Sequence, residues 1–119
     1  MQRKDLRERT KAFAIRIMRV CDALPRARSG SVVANQLIRS GTSPGAQYRE
    51  CVHSRSTAET ISKMRSALQE LEETVYWLEI IVDSKMLGAK LLSPLQREAE
   101  ELIAILVTCI RRLRSGRRR

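Results

Sequence analysis

The chain has 119 residues, a formal net charge of +10, and only one tryptophan, two tyrosines and one phenylalanine. This length supports one domain with a single core. The three cysteines are an odd number without C-x-x-C spacing, so they indicate neither a disulfide framework nor a zinc site. The charged start, MQRKDLRERTKAF, is unlike a signal peptide, and the apolar run at 102–110 is too short to cross a membrane. We therefore expect a reduced, cytoplasmic protein without a membrane span.

Positive charge is concentrated toward the two ends of the sequence. Residues 1–55 carry 12 Lys and Arg against four Asp and Glu, and residues 56–110 carry five against nine. Residues 111–119 carry six arginines and no acid. A surplus of this size on a small protein favours a polyanionic partner, most often nucleic acid.

Helix 1 is predicted at about 5–23. Leu6, Phe13 and Ile17 fall on one helical face, with Thr10 as a polar exception. The cations in the first turns oppose the helix dipole at a small cost, which suggests that they serve a partner. A solvated helix face explains them equally well.

Helix 2 is predicted at about 31–54, with Ser31 as its cap and a kink near Pro44. Proline lacks a backbone donor and its ring clashes with the carbonyl four residues earlier, so we expect the helix to break or bend there. Ser43 would then cap the second part of the helix.

Helix 3 is predicted at about 57–86 and has the most regular pattern in the chain. Ser56 and Glu59 form a capping box at its start, and Gly88 supplies the expected stop. Apolar side chains recur at spacings of three and four, which places them on one stripe that needs cover from other helices. The stripe consists of Ile61, Met64, Leu68, Leu71, Val75, Leu78 and Val82.

Helix 4 is predicted at about 94–114, with Ser93 as its cap and Pro94 at the first helical position. Four amphipathic helices joined by short turns predict an all-α, up-down-up-down four-helix bundle over residues 1–114. A basic, disordered tail is expected at 115–119. The core stripe of helix 4 is predicted to contain Leu95, Ala99, Leu102, Leu106, Cys109 and Leu113.

Helices 3 and 4 carry more apolar surface than one core contact needs. A soluble monomer rarely exposes a patch of this size, so we expect a homo-oligomer. A wide core within one bundle is the alternative. The predicted interface residues are Trp77, Ile80, Ile81, Ile103, Val107 and Ile110.

No motif predicts catalysis, a metal or a cofactor. Glu50 and His53 have the E-x-x-H spacing of di-metal sites in helix bundles, but such sites need two pairs, and His53 is the only histidine. Cys51 and His53 lie two residues apart on a helix and point away from each other, which makes a poor nucleophile–base pair. We therefore expect a protein that is not an enzyme and has no small-molecule substrate.

Two segments, QLIRSGTSPGAQYREC at 36–51 and RSTAETISKMRSALQELEETVYWLEI at 55–80, resemble a bacterial protein family. This family consists of four-helix bundle proteins encoded in intervening sequences of 23S ribosomal RNA genes, and its fold family includes the accessory variability proteins of diversity-generating retroelements. Gln47 and Thr60 depart from the family pattern, in which Asn and Phe are usual. The resemblance implies a ring-shaped homopentamer. For the accessory members it also implies binding to a reverse transcriptase and to RNA or DNA, and it carries over no catalytic residue.

Two functions follow as alternatives. The first is a non-enzymatic oligomeric scaffold that binds RNA or DNA phosphates, in the retroelement case as the accessory subunit of a reverse transcriptase. The second is a protein–protein interaction module of the ribosomal intervening-sequence type with no nucleic-acid role. For the first, an even number of helices returns both chain termini to one end of the bundle, where their cations form one patch. The predicted nucleic-acid contacts are Arg3, Lys4, Arg7, Lys11, Arg111, Arg112, Arg114, Arg117, Arg118 and Arg119.

Overall fold

The computed structural model of the protein describes the backbone of residues 3–116 and the side chains of residues 5–116. Consecutive helices pack against each other through short connections, and the contact between the first and last helices is the sparsest. The result is the predicted all-α four-helix bundle, with extents of 48 × 22 × 19 Å. The helices are α1 (Arg3–Ala23), α2 (Arg28–Glu50), α3 (Thr57–Asp83) and α4 (Ala89–Arg114), with a 3-10 turn at Cys51–His53 between α2 and α3.

The core face of α1 is the predicted one. Leu6, Phe13 and Ile17 are buried, and Thr10 is buried with them. The Thr10 hydroxyl donates to the carbonyl of Leu6 at 2.7 Å, which satisfies the only polar group on this face. A threonine on the core face of a helix is therefore compatible with burial.

The buried stripe of α3 is rotated from its predicted position. Three of the predicted residues are buried, and the other four are only half-buried. Packing on α2 explains the rotation, because Thr74 Oγ1 and Ser40 Oγ lie 2.9 Å apart in the core and satisfy each other. The buried stripe comprises Met64, Ala67, Leu71, Thr74, Leu78 and Ile81.

The kink predicted at Pro44 is not confirmed, because α2 runs as one α-helix from Arg28 to Glu50 with Pro44 inside it. The proline side chain is fully buried, and α2 packs on both α1 and α3. This packing compensates for the backbone hydrogen bond that proline cannot donate. Ser43 does not cap a second helix; its hydroxyl donates to the carbonyl of Arg39 at 2.6 Å.

The start of α2 also differs from the prediction. The helix begins at Arg28 with Ala27 as its N-cap, and no side chain caps it. Ser31 lies inside the first turns, where its hydroxyl donates to the carbonyl of Arg26. The connection from α1 is tight because Leu24 is buried, and this brings the first turn of α2 against the backbone of Pro25.

Helix α3 begins as predicted and ends early. Ser56 Oγ accepts from the backbone N–H of Glu59 at 3.1 Å, and the Glu59 carboxylate accepts from the N–H of Arg55. The helix ends at Asp83 because Lys85 adopts φ 63°. The backbone N–H groups of Lys85 and Met86 then bond to the carbonyls of Val82 and Ile81, which is a Schellman motif without glycine.

Gly88, predicted as the stop of helix 3, is instead the N-cap of α4. The helix therefore starts at Ala89, and Pro94 falls inside it rather than at its first position. Burial of Leu92, which is 1% exposed, stabilises the added turn. Ser93 does not cap the helix; its hydroxyl oxygen accepts from the Arg97 guanidinium at 2.8 Å.

The last described residues close α4. Ser115 is its C-cap, and Gly116 follows at φ 82°, a left-handed conformation that suits glycine. The remainder of the predicted tail, Arg117 to Arg119, lies outside the described residues.

Candidate nucleic-acid interface

One end of the bundle holds the start of α1, the connection from α2 to α3, and the end of α4. Lys63 near the start of α3 bonds to Glu50 at the end of α2 at 3.0 Å. Arg114 at the end of α4 shares a surface groove with Ala58 and Ile61 in the first turns of α3. We call this half of the bundle, residues 5–13, 40–70 and 102–116, the basic end, and the other half, residues 14–39 and 71–101, the neutral half.

The net charge of the described bundle is carried by the basic end. Its residues include ten Lys and Arg and five Asp and Glu, whereas the neutral half has eight of each sign. Within the described residues, eight of those ten cations make no ion pair with a carboxylate. They are Arg7, Lys11, Arg49, Arg55, Arg65, Arg111, Arg112 and Arg114.

Five of the predicted nucleic-acid contacts lie at this end with exposed side chains, namely Arg7, Lys11, Arg111, Arg112 and Arg114. The side chains of Arg3 and Lys4, and the residues Arg117, Arg118 and Arg119, lie outside what the structure describes. The sequence therefore identified two of the segments that form the basic end.

The third segment, the α2–α3 connection, was not predicted as part of the site. The connection and the helix ends beside it add Arg49 in α2, Arg55 in the connection and Arg65 in α3, all exposed. These arginines are separated from the terminal clusters along the sequence, so composition windows do not group them. The up-down topology was the available signal, because it returns the second connection to the same end as the termini.

Two arginines outside this unpaired set hold helices together. The Arg9 guanidinium donates to Glu98 at 2.7 Å and to Glu101 at 2.8 Å, which connects α1 to α4. These hydrogen bonds, the one to Glu98 first, raise the pKa of Arg9 above its ordinary value. Arg39 likewise connects α2 to α3 by bonding to Glu70 and Glu73.

The predicted oligomer interface is only partly accessible in one chain. Ile81 is fully buried and Ile110 is 6% exposed, so both already belong to the core of a single bundle and are not free to contact a second copy. The tertiary packing of α3 and α4 covers them, which sequence periodicity did not resolve. The other four predicted interface residues, Trp77, Ile80, Ile103 and Val107, are half-buried.

The most exposed aromatic surface is on α3 in the neutral half. Tyr76 is 53% exposed, and its ring meets that of Trp77 edge-on, with centroids 5.0 Å apart. The Trp77 indole N–H donates to Glu73 at 3.0 Å. This hydrogen bond, with that from Arg39, lowers the pKa of Glu73.

The described residues give little support for a metal site, a reactive thiol or a membrane span. In residues 5–116, no group of three or more His, Cys, Asp or Glu side chains could hold a metal ion, and Glu50 of the E-x-x-H pair bonds to Lys63. The three cysteines are half-buried and form no disulfide within the described residues, and burial raises the pKa of the Cys21 thiol to about 11. Over the described part of the chain, every helix is too short or too polar to span a membrane.

Comparisons with known proteins agree with the fold. A family model described as 23S rRNA-intervening sequence protein matches residues 3–108. A crystal structure from Bacteroides thetaiotaomicron VPI-5482, described as a protein with unknown function from the S23 ribosomal protein family, is 30% identical, with a TM-score of 0.86. The similarity covers 93% of this chain and 99% of the other. The search of curated proteins gives no match.

Proposed function

Since this chain belongs to the 23S rRNA-intervening sequence protein family, we propose that it is a non-enzymatic scaffold that binds RNA or DNA through its basic end. The observation that carries this proposal is the separation of charge along the bundle. Within the described residues, eight unpaired cations lie on three separate segments, and the topology brings all of them to the same end. A basic field of this kind attracts a polyanion over about one Debye length, roughly 8–10 Å in physiological salt.

The contacts fit phosphates rather than bases. In the described part of the basic end, the only Phe, Tyr or Trp side chains are Phe13 and Tyr48, which are 1% and 4% exposed, so the one exposed aromatic ring is the imidazole of His53. Recognition of single strands by stacking uses several aromatic rings for successive bases, which a single imidazole does not supply. Arginine and lysine side chains that reach phosphate oxygens supply affinity without reading sequence.

A second candidate function is the protein–protein interaction module. The exposed ring of Tyr76 beside Trp77, on the acidic outer part of α3, favours it. Aromatic side chains of this kind are enriched in the centres of protein interfaces. A homopentamer and a reverse transcriptase as partner, both implied by the resemblance, remain predictions that belong to this surface and to the half-buried residues near it.

Binding measurements in rising salt test the proposal. The probes are a labelled RNA hairpin and a labelled DNA duplex, each in two unrelated sequences, added to the full chain and to a chain that ends at Leu113. For a scaffold that contacts phosphates, log Kd rises with log salt by about 0.9 per contact on duplex DNA. Truncation then reduces this slope and weakens the two sequences of each nucleic acid by the same factor.

A matched pair of variants locates the contact. Arg111→Gln with Arg112→Gln removes two unpaired cations from the basic end, whereas Arg26→Gln with Arg28→Gln removes two exposed cations from the neutral half. We expect the first pair to reduce the salt slope by about two and the second to leave it unchanged. Equal losses for the two pairs, or no binding by the full chain near physiological salt, would refute the proposal and favour the interaction module.

A further inference from the structure

The groove between α3 and α4 at the basic end is lined by several polar side chains, most of which make no hydrogen bond or ion pair within the described residues. It has a volume of about 520 Å³ and is lined by Ala58, Ile61, Ser62, Arg65, Ser66, Gln69 and Arg114. All of its polar side chains are exposed, and no carboxylate lines it. We propose that this groove binds a backbone phosphate of the nucleic acid and its adjoining sugar, with Arg65 and Arg114 as the two charged contacts.

The charged contacts come from two helices. Arg65 lies on the third turn of α3 and Arg114 is the last residue of α4, and both line the groove. Within the described residues, neither guanidinium pairs with a carboxylate. Arginine presents a planar fork of N–H donors that matches two phosphate oxygens at once, which lysine does not.

The neutral contacts come from one face of α3. Ser62 and Gln69 are seven residues apart, two helical turns, with Arg65 between them on the same side. Their side-chain polar atoms make no hydrogen bond within the described residues, whereas the nearby Ser66 hydroxyl donates to the carbonyl of Ser62. A free hydroxyl and a free amide beside two arginines suit the sugar oxygens next to a phosphate.

The apolar lining leaves room for an extended backbone. Ala58 has a short side chain, and Ile61 is half-buried against the core, so neither side chain blocks the groove along α3. The unpaired cations of the basic end favour a nucleic acid over an acidic protein segment as the ligand. The phosphates of a strand repeat along its length, so the phosphates next to the one in the groove can contact the neighbouring cations.

This inference rests on the proposed function, and neutral substitutions separate the two. Gln69→Ala removes a groove donor without changing the net charge, and Asn35→Ala removes an exposed amide from α2 in the neutral half as its control. Binding of a 12-nucleotide RNA and a DNA of the same sequence is measured by fluorescence anisotropy with the full chain. For a groove contact, Gln69→Ala weakens binding about threefold with an unchanged salt slope, and Asn35→Ala has no effect.

Charge variants complete the test. Arg65→Gln removes a groove cation, and Arg7→Gln removes an exposed cation of the same end that does not line the groove. A bidentate phosphate contact predicts a loss of about tenfold for Arg65→Gln and only the general loss of attraction, about twofold, for Arg7→Gln.

Results that overturn only the groove differ from results that overturn the proposed function as well. Equal effects of Arg65→Gln and Arg7→Gln, with no effect of Gln69→Ala, would leave a diffuse basic scaffold and overturn the groove. Absence of any binding by the wild-type chain would overturn both the proposed function and the groove. An acidic peptide that competes for the groove more strongly than either oligonucleotide would replace the nucleic acid as its ligand.

Discussion

Replacing Gly30 with alanine is expected to destabilise the bundle by about 2 kcal/mol. Gly30 lies in the first turn of α2, where a Cβ atom would lie 1.9 Å from the carbonyl oxygen of Pro25 and 2.9 Å from its carbonyl carbon. Non-bonded carbon atoms pack at about 3.5–4.0 Å. The connection between α1 and α2 must therefore move before alanine can fit.

The expected loss of about 2 kcal/mol in the free energy of unfolding is the balance of two contributions of opposite sign. Overpacking costs roughly 1–3 kcal/mol, and the upper part of that range applies here because the obstacle is a backbone carbonyl that cannot rotate away. Alanine recovers up to about 1 kcal/mol, because it is the better helix former. Leu24, 6% exposed and next to Pro25, prevents the connection from shifting freely.

Urea unfolding followed by far-ultraviolet circular dichroism measures the effect. With an m-value of about 2 kcal/mol/M, the midpoint falls by about 1 M. Gly88→Ala is the matched control, because a Cβ at Gly88 meets nothing within 4 Å, and the variant loses only the capping preference, about 1 kcal/mol or less. A midpoint for Gly30→Ala equal to or above that of the wild type would show that the two helices do not approach as closely as described.

Three further variants and reactions test local features. Ser56→Ala removes the cap that accepts from the N–H of Glu59 and should cost about 1 kcal/mol in the same urea assay; an unchanged midpoint would contradict a stabilising cap. The pKa of Glu73 is lowered in the folded state, mainly by the hydrogen bond from the Trp77 indole. The ionised Glu73 therefore contributes to the free energy of unfolding above the ordinary glutamate pKa, and this contribution is lost as the pH falls through the lowered pKa. Unfolding midpoints from about pH 5 to about pH 3 should therefore fall more steeply for the wild type than for Glu73→Gln, and parallel curves would be inconsistent with this contact. Burial raises the pKa of Cys21 to about 11, so at pH 8 its thiol should react with an aromatic disulfide reagent at least about tenfold more slowly than a free cysteine, and equal rates would place it at the surface.

The sequence predicted the helices wherever one strong signal marked them. The period of three and four placed all four helices, and the capping box at Ser56 set the start of α3. The predicted helix boundaries were wrong where a residue expected to start or interrupt a helix lies inside one. Pro44 and Pro94 are both helical, because packing on neighbouring helices outweighs one lost backbone hydrogen bond.

The end of α3 shows a different limit. Glycine is the usual residue in the left-handed position that follows a helix, so the stop of helix 3 was predicted at Gly88. Lys85 takes that conformation instead. A lysine at this position does not predict the left-handed conformation. The position of the turn depends on where the chain leaves the core, and this determines which two carbonyls accept its hydrogen bonds.

The candidate site was predicted in part for a related reason. Arginines near the termini form runs that composition reveals, whereas Arg49, Arg55 and Arg65 join them only through the fold. Likewise, Ile81 lies outside the predicted core stripe of helix 3 and was predicted at an oligomer interface, but the stripe is rotated, with Ser40 and Thr74 in contact in the core, and Ile81 is buried. Helix periodicity alone does not fix such a rotation.

The uneven charge of the two halves also determines how the molecule turns in solution. Excess positive charge at one end of a body 48 Å long gives it a permanent electric dipole along its axis. In the field of a polyanion, such a dipole would turn the bundle so that the basic end faces the polyanion. Under the proposed function, Tyr76 and Trp77 on α3 in the neutral half would then lie away from the bound polyanion.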